Sequence, residues 1–152
     1  PSSGKSTLAT AVAAELRQRG VSPVVLDSDD LRAMMPQLGY DEQGRTQLYG
    51  TLARLAAMIA RQGQIVLVPA TAHRRCFRDA ARALAPAFVE IFVDTPIEEC
   101  RRRDTKGLYA GKVASAPGAG TEYEPPHAAD FHVRPADTDA AAEIAELLDE
   151  ML

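Results

Sequence analysis

A chain of 152 residues with 46% hydrophobic and 25% charged side chains fits one domain that buries roughly 70% of its unfolded surface, so a core needs neither disulfide nor structural metal. The 17 basic and 21 acidic side chains leave a net charge of −4, which argues against a nucleic-acid surface but leaves room for a local basic pocket around a small anion. No apolar run approaches the ~20 residues of a membrane span, no signal-peptide pattern is visible, and Cys76 and Cys100 lack CxxC spacing, as expected of reduced, partly buried thiols in a cytoplasmic protein.

In PSSGKST at the start, Gly4, Lys5 and Ser6 supply the second half of a GxxxxGK[ST] phosphate-binding loop. Counting back from Gly4 puts the first glycine of that pattern, and the strand that would feed it, ahead of Pro1. Leu8, Val12 and Leu16 recur every four residues from Lys5 to Arg19, predicting an amphipathic helix with Arg17 and Arg19 at its negative end and Gly20 closing it. A glycine turn opening a helix aims backbone N–H groups and the positive dipole end at one point, which suits phosphate oxygens. Lys5 would reach the β and γ phosphates and the Ser6 hydroxyl would ligate Mg²⁺, within an ATP-binding set of Ser2, Ser3, Gly4, Lys5, Ser6 and Thr7.

Val24 to Leu26 reads as a short buried strand delivering DSDD at its carboxyl end, where ligands bind in open parallel sheets. A phosphotransferase needs acids there, one to help hold Mg²⁺ and one to orient or deprotonate the attacking hydroxyl; Asp27 and Asp29 fill these roles. The competing reading makes DSDD the cap of a helix beginning near Leu31, through Asp29 or Ser28.

Leu48, Leu52, Leu55 and Ile59 mark a second long helix that stops near Gly63, and IVLV at 65–68 a strand covered on both faces. Phe77, Ala81 and Leu84 predict another helix and Phe88 to Asp94 another strand. Thr95, Pro96 and Glu98 begin the next helix as cap, first turn and capping-box partner. FHV at 131–133 is a weaker strand, and a last helix presents Ile144, Leu148 and Met151. Short buried strands separated by helices imply an α/β fold with a parallel sheet covered by helices on both faces. The reading is thus one domain over 1–152, with a Gly- and Pro-rich loop at about 101–129 read as a lid over the site.

SGKSTLA, LDSDDLR, VEIFVDTPIEECRRRDTKGLY and YEPP, in unbroken order to about Pro126, resemble adenylylsulfate kinase, also called APS kinase. The resemblance implies a P-loop kinase that transfers the γ-phosphate of MgATP to the 3′-hydroxyl of adenosine 5′-phosphosulfate, acting as a homodimer. It makes Asp29 the catalytic aspartate alongside Lys5, and Asp27 its metal-side partner with Ser6. Arg32, Arg45, Arg75, Lys106 and Leu108 become acceptor contacts, and Arg103 packs near the ATP adenine. Lid closure would exclude water, which competes as phosphoryl acceptor.

Acceptor-side positions depart from the family pattern. Leu48 stands where the family has asparagine, and Gly50 and Thr51 where it has two arginines; Ala72, His73 and Arg74 replace a Ser-Pro-Tyr turn ahead of Arg75. The lid is shorter and lacks the phenylalanine that stacks on the acceptor's adenine. Stacking is worth about 1–3 kcal/mol and a hydrogen bond to a charged group about 1.5–3, so losing both weakens acceptor binding by roughly 10²–10⁴ unless other residues compensate. His73, Arg74 and Arg75 read either as a replacement anion site or as a solvated helix start, and His127 and His132 show no evident partner. Two alternatives stay open: a kinase of this build acting on another small hydroxyl compound, and a nucleotide-binding module of a larger polypeptide.

Overall fold

Gly4 turns the chain into the first helix with φ +97°, a left-handed conformation that glycine adopts without a Cβ penalty. The computed structural model describes residues 4–102 and 122–152. Helix α1 runs from Lys5 to Gln18 and buries Val12, Ala13 and Leu16, the face its sequence spacing predicts. It ends in a Schellman closure: the Val21 N–H donates to the Leu16 carbonyl at 2.9 Å and the Gly20 N–H to that of Arg17 at 3.0 Å, with Gly20 at φ +82°.

Strand β1 (Val24–Val25) leads into α2 (Ser28–Met34) and then α3 (Glu42–Ala60), and the chain returns in β2 (Val66–Leu67). Helix α4 (Arg75–Leu84), β3 (Ile91–Val93), α5 (Ile97–Arg102), β4 (Phe131–Val133) and α6 (Ala140–Glu150) follow. β1 pairs with β2 in parallel, Val24 opposite Val66, and β3 pairs with β4 in parallel, Ile91 opposite Phe131. Parallel neighbours need crossovers on this scale. The architecture is therefore α/β, as the alternation in the sequence predicts.

The strands are shorter than their apolar runs. Phe88 to Asp94 contracts to Ile91–Val93, the span opposite β4, and 65–68 to Val66–Leu67, the span opposite β1, because a strand is defined by its partner's ladder. Among the described residues the two pairs are not joined. A cavity of about 800 Å³ is lined by residues of β2 and β3 together with Leu8, Ala9 and Val12.

Leu16, Val12, Leu67, Val133, Ile144 and Ala145 form the main core, where α1 and α6 meet. Ile144 and Leu148 of the predicted last-helix face pack there, whereas Met151 is 48% exposed. Helix α3 buries Leu48, Leu52, Ala53 and Ala57 and packs on α4. Leu48, the apolar residue at the family's asparagine position, is 2% exposed and belongs to this interior. Cys100 is buried with its thiol on the Thr95 carbonyl at 3.6 Å, and Cys76 is exposed. No helix among the described residues is long and apolar enough to cross a membrane.

Helix α3 starts through a close approach. The Asp41 carboxylate accepts the Gly44 N–H at 2.9 Å, and a Cβ on Gly44 would overlap the Gly39 carbonyl oxygen and stand 2.9 Å from Asp41 Oδ1. Gly44→Ala should therefore destabilise the protein by about 1–3 kcal/mol. Gly50→Ala, whose Cβ meets only the tip of Arg54 at 3.4 Å, should be neutral or stabilising by up to about 1 kcal/mol. Urea unfolding of the two variants side by side measures both.

Candidate active site

The front of α1 and the end of β1 converge at the residues predicted to bind phosphate. Lys5 is the first residue of α1 and Asp27 follows β1, so the open N–H groups of a helix front lie beside the carboxyl end of a strand. The Ser6 hydroxyl donates to Asp27 Oδ2 at 2.7 Å across a separation of 21 residues. The other oxygen, Asp27 Oδ1, accepts the Asp29 N–H at 2.9 Å. Asp27 is thereby the N-cap of α2, where the competing sequence reading put Ser28 or Asp29 as the cap of a helix starting near Leu31. Capping and site-building are both done by this carboxylate: one oxygen fixes the helix, the other faces Ser6. Asp29 stands exposed in the first turn of α2, and Thr7 is exposed in the first turn of α1. Ser2, Ser3, Arg103, Lys106 and Leu108 lie outside the described residues, as does most of the predicted lid.

Two of the expected acceptor residues, Arg32 and Arg45, lie near a tyrosine to which the sequence reading gave no role. Burial raises the Tyr49 phenol's pKa, opposed by a backbone hydrogen bond with Ala72 and the fields of Arg45 and Arg32, while Asp29 adds a further upward push. Arg32, Arg45 and Asp29 thus share one neighbourhood. Arg45 is only 4% exposed. Arg32 donates through Nη1 to the Gly39 carbonyl at 3.1 Å, and its guanidinium lies 4.0 Å from the centroid of the Tyr40 ring, a cation–π distance.

The turn from 72 to 75 departs from the reading of a solvated helix start. Ala72 has φ +39°, His73 is 2% exposed, and Arg74 Nη1 donates to Glu42 Oε1 at 2.6 Å. His73 Nε2 is 3.8 Å from Glu42 Oε2, and Nδ1 has no protein hydrogen-bond partner. Burial lowers the His73 pKa below its ordinary value and Arg45 lowers it further; Glu42 works in the opposite sense. Arg75 gives its backbone N–H to Glu124 Oε1 at 2.8 Å and its Nη1 to the Pro125 carbonyl at 3.0 Å. The Arg75 N–H holds the Glu124 carboxyl below the usual carboxylate range. Half-buried Arg78 bonds the Ala72 and Glu124 carbonyls.

His132, read as lacking a partner, lies 2.7 Å from Asp94 Oδ2. His127 is exposed. Tyr49, Arg78 and Glu124 escaped sequence reasoning. The only trace of Glu124 was YEPP, and the spacing of Arg78 from Arg75 marks a helix face without saying what it meets.

Three comparisons bear on this arrangement. The family profile of adenylylsulphate kinase matches residues 1–134. The bifunctional enzyme NodQ of Rhizobium sp. strain BR816 is 40% identical over 147 residues, 92% of this chain but 23% of the relative, so the chain spans about a quarter of that protein. The adenylyl-sulfate kinase of Synechococcus sp. strain JA-2-3B'a(2-13) is 40% identical over 128 residues, 81% of this chain and 73% of the relative. A solved structure of the Mycobacterium tuberculosis APS kinase CysC in complex with AMPPNP and APS superposes with a TM-score of 0.86 at 33% identity, covering 99% of this chain and 91% of that one.

His73 gives the site a pH signature. Its native pKa lies below the ordinary value of 6.5, so the unfolded chain takes up the proton first. Its contribution to stability is complete above pH 6.5 and declines as the pH falls through that value toward the native pKa. Glu124, with its native pKa below 4.5, adds a separate loss at lower pH. Urea unfolding between pH 7.5 and 5 should show a decline in the wild type, with a slope of at most about 1.4 kcal/mol per pH unit from this group, that His73→Phe removes. Equal slopes in the two proteins would contradict the assignment.

Proposed function

The chain belongs to the adenylylsulphate kinase family, and we propose that it transfers the γ-phosphate of ATP to the 3′-hydroxyl of adenosine 5′-phosphosulfate. The observation that carries this reading is the Ser6–Asp27 hydrogen bond of 2.7 Å, which places a hydroxyl and a carboxylate side by side at the mouth between the α1 front and the β1 end. Support comes from a structural neighbour at 33% identity that holds AMPPNP and APS together.

The phosphates of ATP lie on the N–H groups at the front of α1, with Lys5 toward the β and γ groups. Ser6 and Asp27 fit a hard cation, since both offer oxygen and two protein ligands leave room for water and phosphate oxygens. Ser6 and Asp27 would hold Mg²⁺, whose charge would offset that of the phosphates. Asp29, held in the first turn of α2 by the Asp27 cap, accepts the proton of the acceptor hydroxyl. The acceptor oxygen forms its bond to the γ-phosphorus, the bond from that phosphorus to the β–γ bridging oxygen breaks, and ADP leaves with the electron pair. Arg32, Arg45 and Arg75 supply the positive field for the acceptor's anionic groups, and the exposed Tyr40 ring beside Arg32 offers a face to its base.

The partners in this reading are small molecules, ATP and adenosine 5′-phosphosulfate, with a homodimer in the cytoplasm as the working assembly. Matches both to bifunctional enzymes and to separate kinases support service either within a larger polypeptide or alone. A second reading, a kinase of this build with a different hydroxyl acceptor, is favoured by one observation: Arg74 is committed to Glu42 in a turn whose residues depart from the family's.

Measured in the full-length protein, ADP formation should depend on adenosine 5′-phosphosulfate and exceed that with other hydroxyl compounds; turnover on it no better than background would leave the second reading in place. Lys5→Ala or Asp29→Asn should each lower turnover by at least about 10², since each removes a charge acting on the transferring group or its acceptor. Wild-type rates in either variant would show the site to be misassigned.

A further inference from the structure

Outside the residues that meet nucleotide in this reading, one set of contacts ties the turn at 72–75 to a segment about fifty residues further along the chain. The Glu124 N–H donates to the His73 carbonyl at 2.8 Å, and the Glu124 carboxylate accepts the Arg75 N–H at 2.8 Å. Arg75 Nη1 returns a bond to the Pro125 carbonyl at 3.0 Å. Arg78 closes the set: Nη1 donates to the Ala72 carbonyl at 2.7 Å, Nη2 donates to the Glu124 carbonyl, and Nε lies 3.1 Å from Glu90 Oε2 next to β3. Tyr123 stacks on Phe92 of β3 with ring centroids 6.0 Å apart, and the Arg78 guanidinium lies 5.3 Å from the Tyr123 ring centroid.

The turn held this way does not hold itself. Ala72 sits at φ +39°, a backbone region that L-residues occupy only when their surroundings impose it. Arg74, at the N-cap of α4, makes no side-chain capping bond. The negative group that belongs at this helix front comes instead from Glu124, 49 residues away in sequence. The same turn carries Arg75, assigned to the acceptor, and its Ala72 backbone bonds the phenol of Tyr49 amid Arg45, Arg32 and Asp29.

We propose that Glu124 is a positioning residue for the phosphate acceptor: with Arg78 it clamps the 72–75 turn, so that Arg75 and the Tyr49 neighbourhood are set before the acceptor arrives. The proposal rests on the kinase reading for its functional consequence, but the clamp itself can be read without substrate. Glu124 touches no reacting atom in this scheme. Its loss acts on acceptor binding and leaves the α1 front, where ATP binds, unchanged.

The experiment uses the full-length protein with Glu124→Ala, Glu124→Gln and Arg78→Lys, measuring the KM for adenosine 5′-phosphosulfate, the KM for MgATP and, without ligands, hydrogen exchange at the Arg75 amide. Glu124→Ala should raise the acceptor KM at least about tenfold while leaving that for MgATP within about twofold, and should speed Arg75 exchange by about tenfold or more. Glu124→Gln, whose amide oxygen still accepts the Arg75 N–H, should recover most of both effects, and Arg78→Lys should reproduce the Glu124→Ala split in weaker form. An unchanged acceptor KM in Glu124→Ala, or a parallel rise in both KM values in Glu124→Gln and Arg78→Lys, would overturn the positioning role. Should the wild type show no turnover on adenosine 5′-phosphosulfate, the kinase reading fails separately; Arg75 exchange in Glu124→Ala then decides the clamp, and a wild-type rate there overturns it.

Discussion

A hydrogen bond from Ser6 to Asp27, 2.7 Å long, is the contact on which the rest of the site depends. It joins the first turn of α1 to the residue that ends β1 and begins α2. Because the second oxygen of Asp27 is occupied by the Asp29 N–H, the carboxylate cannot rotate without uncapping α2. The direction of its free lone pairs is therefore set by the fold, and so is the place where Asp29 enters the helix. A charged cap satisfies an otherwise open N–H and favours the positive helix end, so the stability of a short helix and the geometry of the site rest on one side chain.

The second half of the site is organised by burial of charge. Arg45 at 4% exposure and His73 at 2% are held inside a region bounded by Glu42, Tyr49 and Phe77. A buried cation such as Arg45 persists only where compensating groups are fixed nearby, whereas burial disfavours the charged form of His73. Glu42 serves both Arg74 and His73, and Arg78 joins Glu90 to two backbone carbonyls. Part of the basic character of this region is thus paired with carboxylates and carbonyls within the fold. Leu48 shows the other side of this arrangement: at 2% exposure it fills the interior between α3 and its neighbours, so an apolar residue there is a packing choice.

These two halves meet through backbone rather than through side-chain charge alone. Tyr49 on α3 is tied to Ala72, the turn around Ala72 is tied to Glu124, and Glu124 leads through Tyr123 to Phe92 of β3. Strands β1 and β2 carry the phosphate-side acids and the 72–75 turn, while β3 anchors the returning segment. The parallel strand ends therefore present both halves from one edge.

The sequence by itself determined the α/β alternation of the main elements and pointed to the residues proposed for the phosphate side. Four-residue spacing in Leu8, Val12 and Leu16, a glycine at each end of α1, and acids directly after a β-branched run are local signals, produced by interactions within one or two turns of chain. Tertiary structure decided what those signals leave open. Asp27, which caps α2 through the nearby Asp29 N–H, has its second oxygen taken by Ser6 from 21 residues away. The strands contracted to the few residues with a partner opposite. His132 acquired Asp94, and the 72–75 turn became buried and capped by Glu124. Each of these depends on groups 21 to 49 residues apart, a distance at which only the packed fold, and no periodicity in the chain, brings a donor to its acceptor.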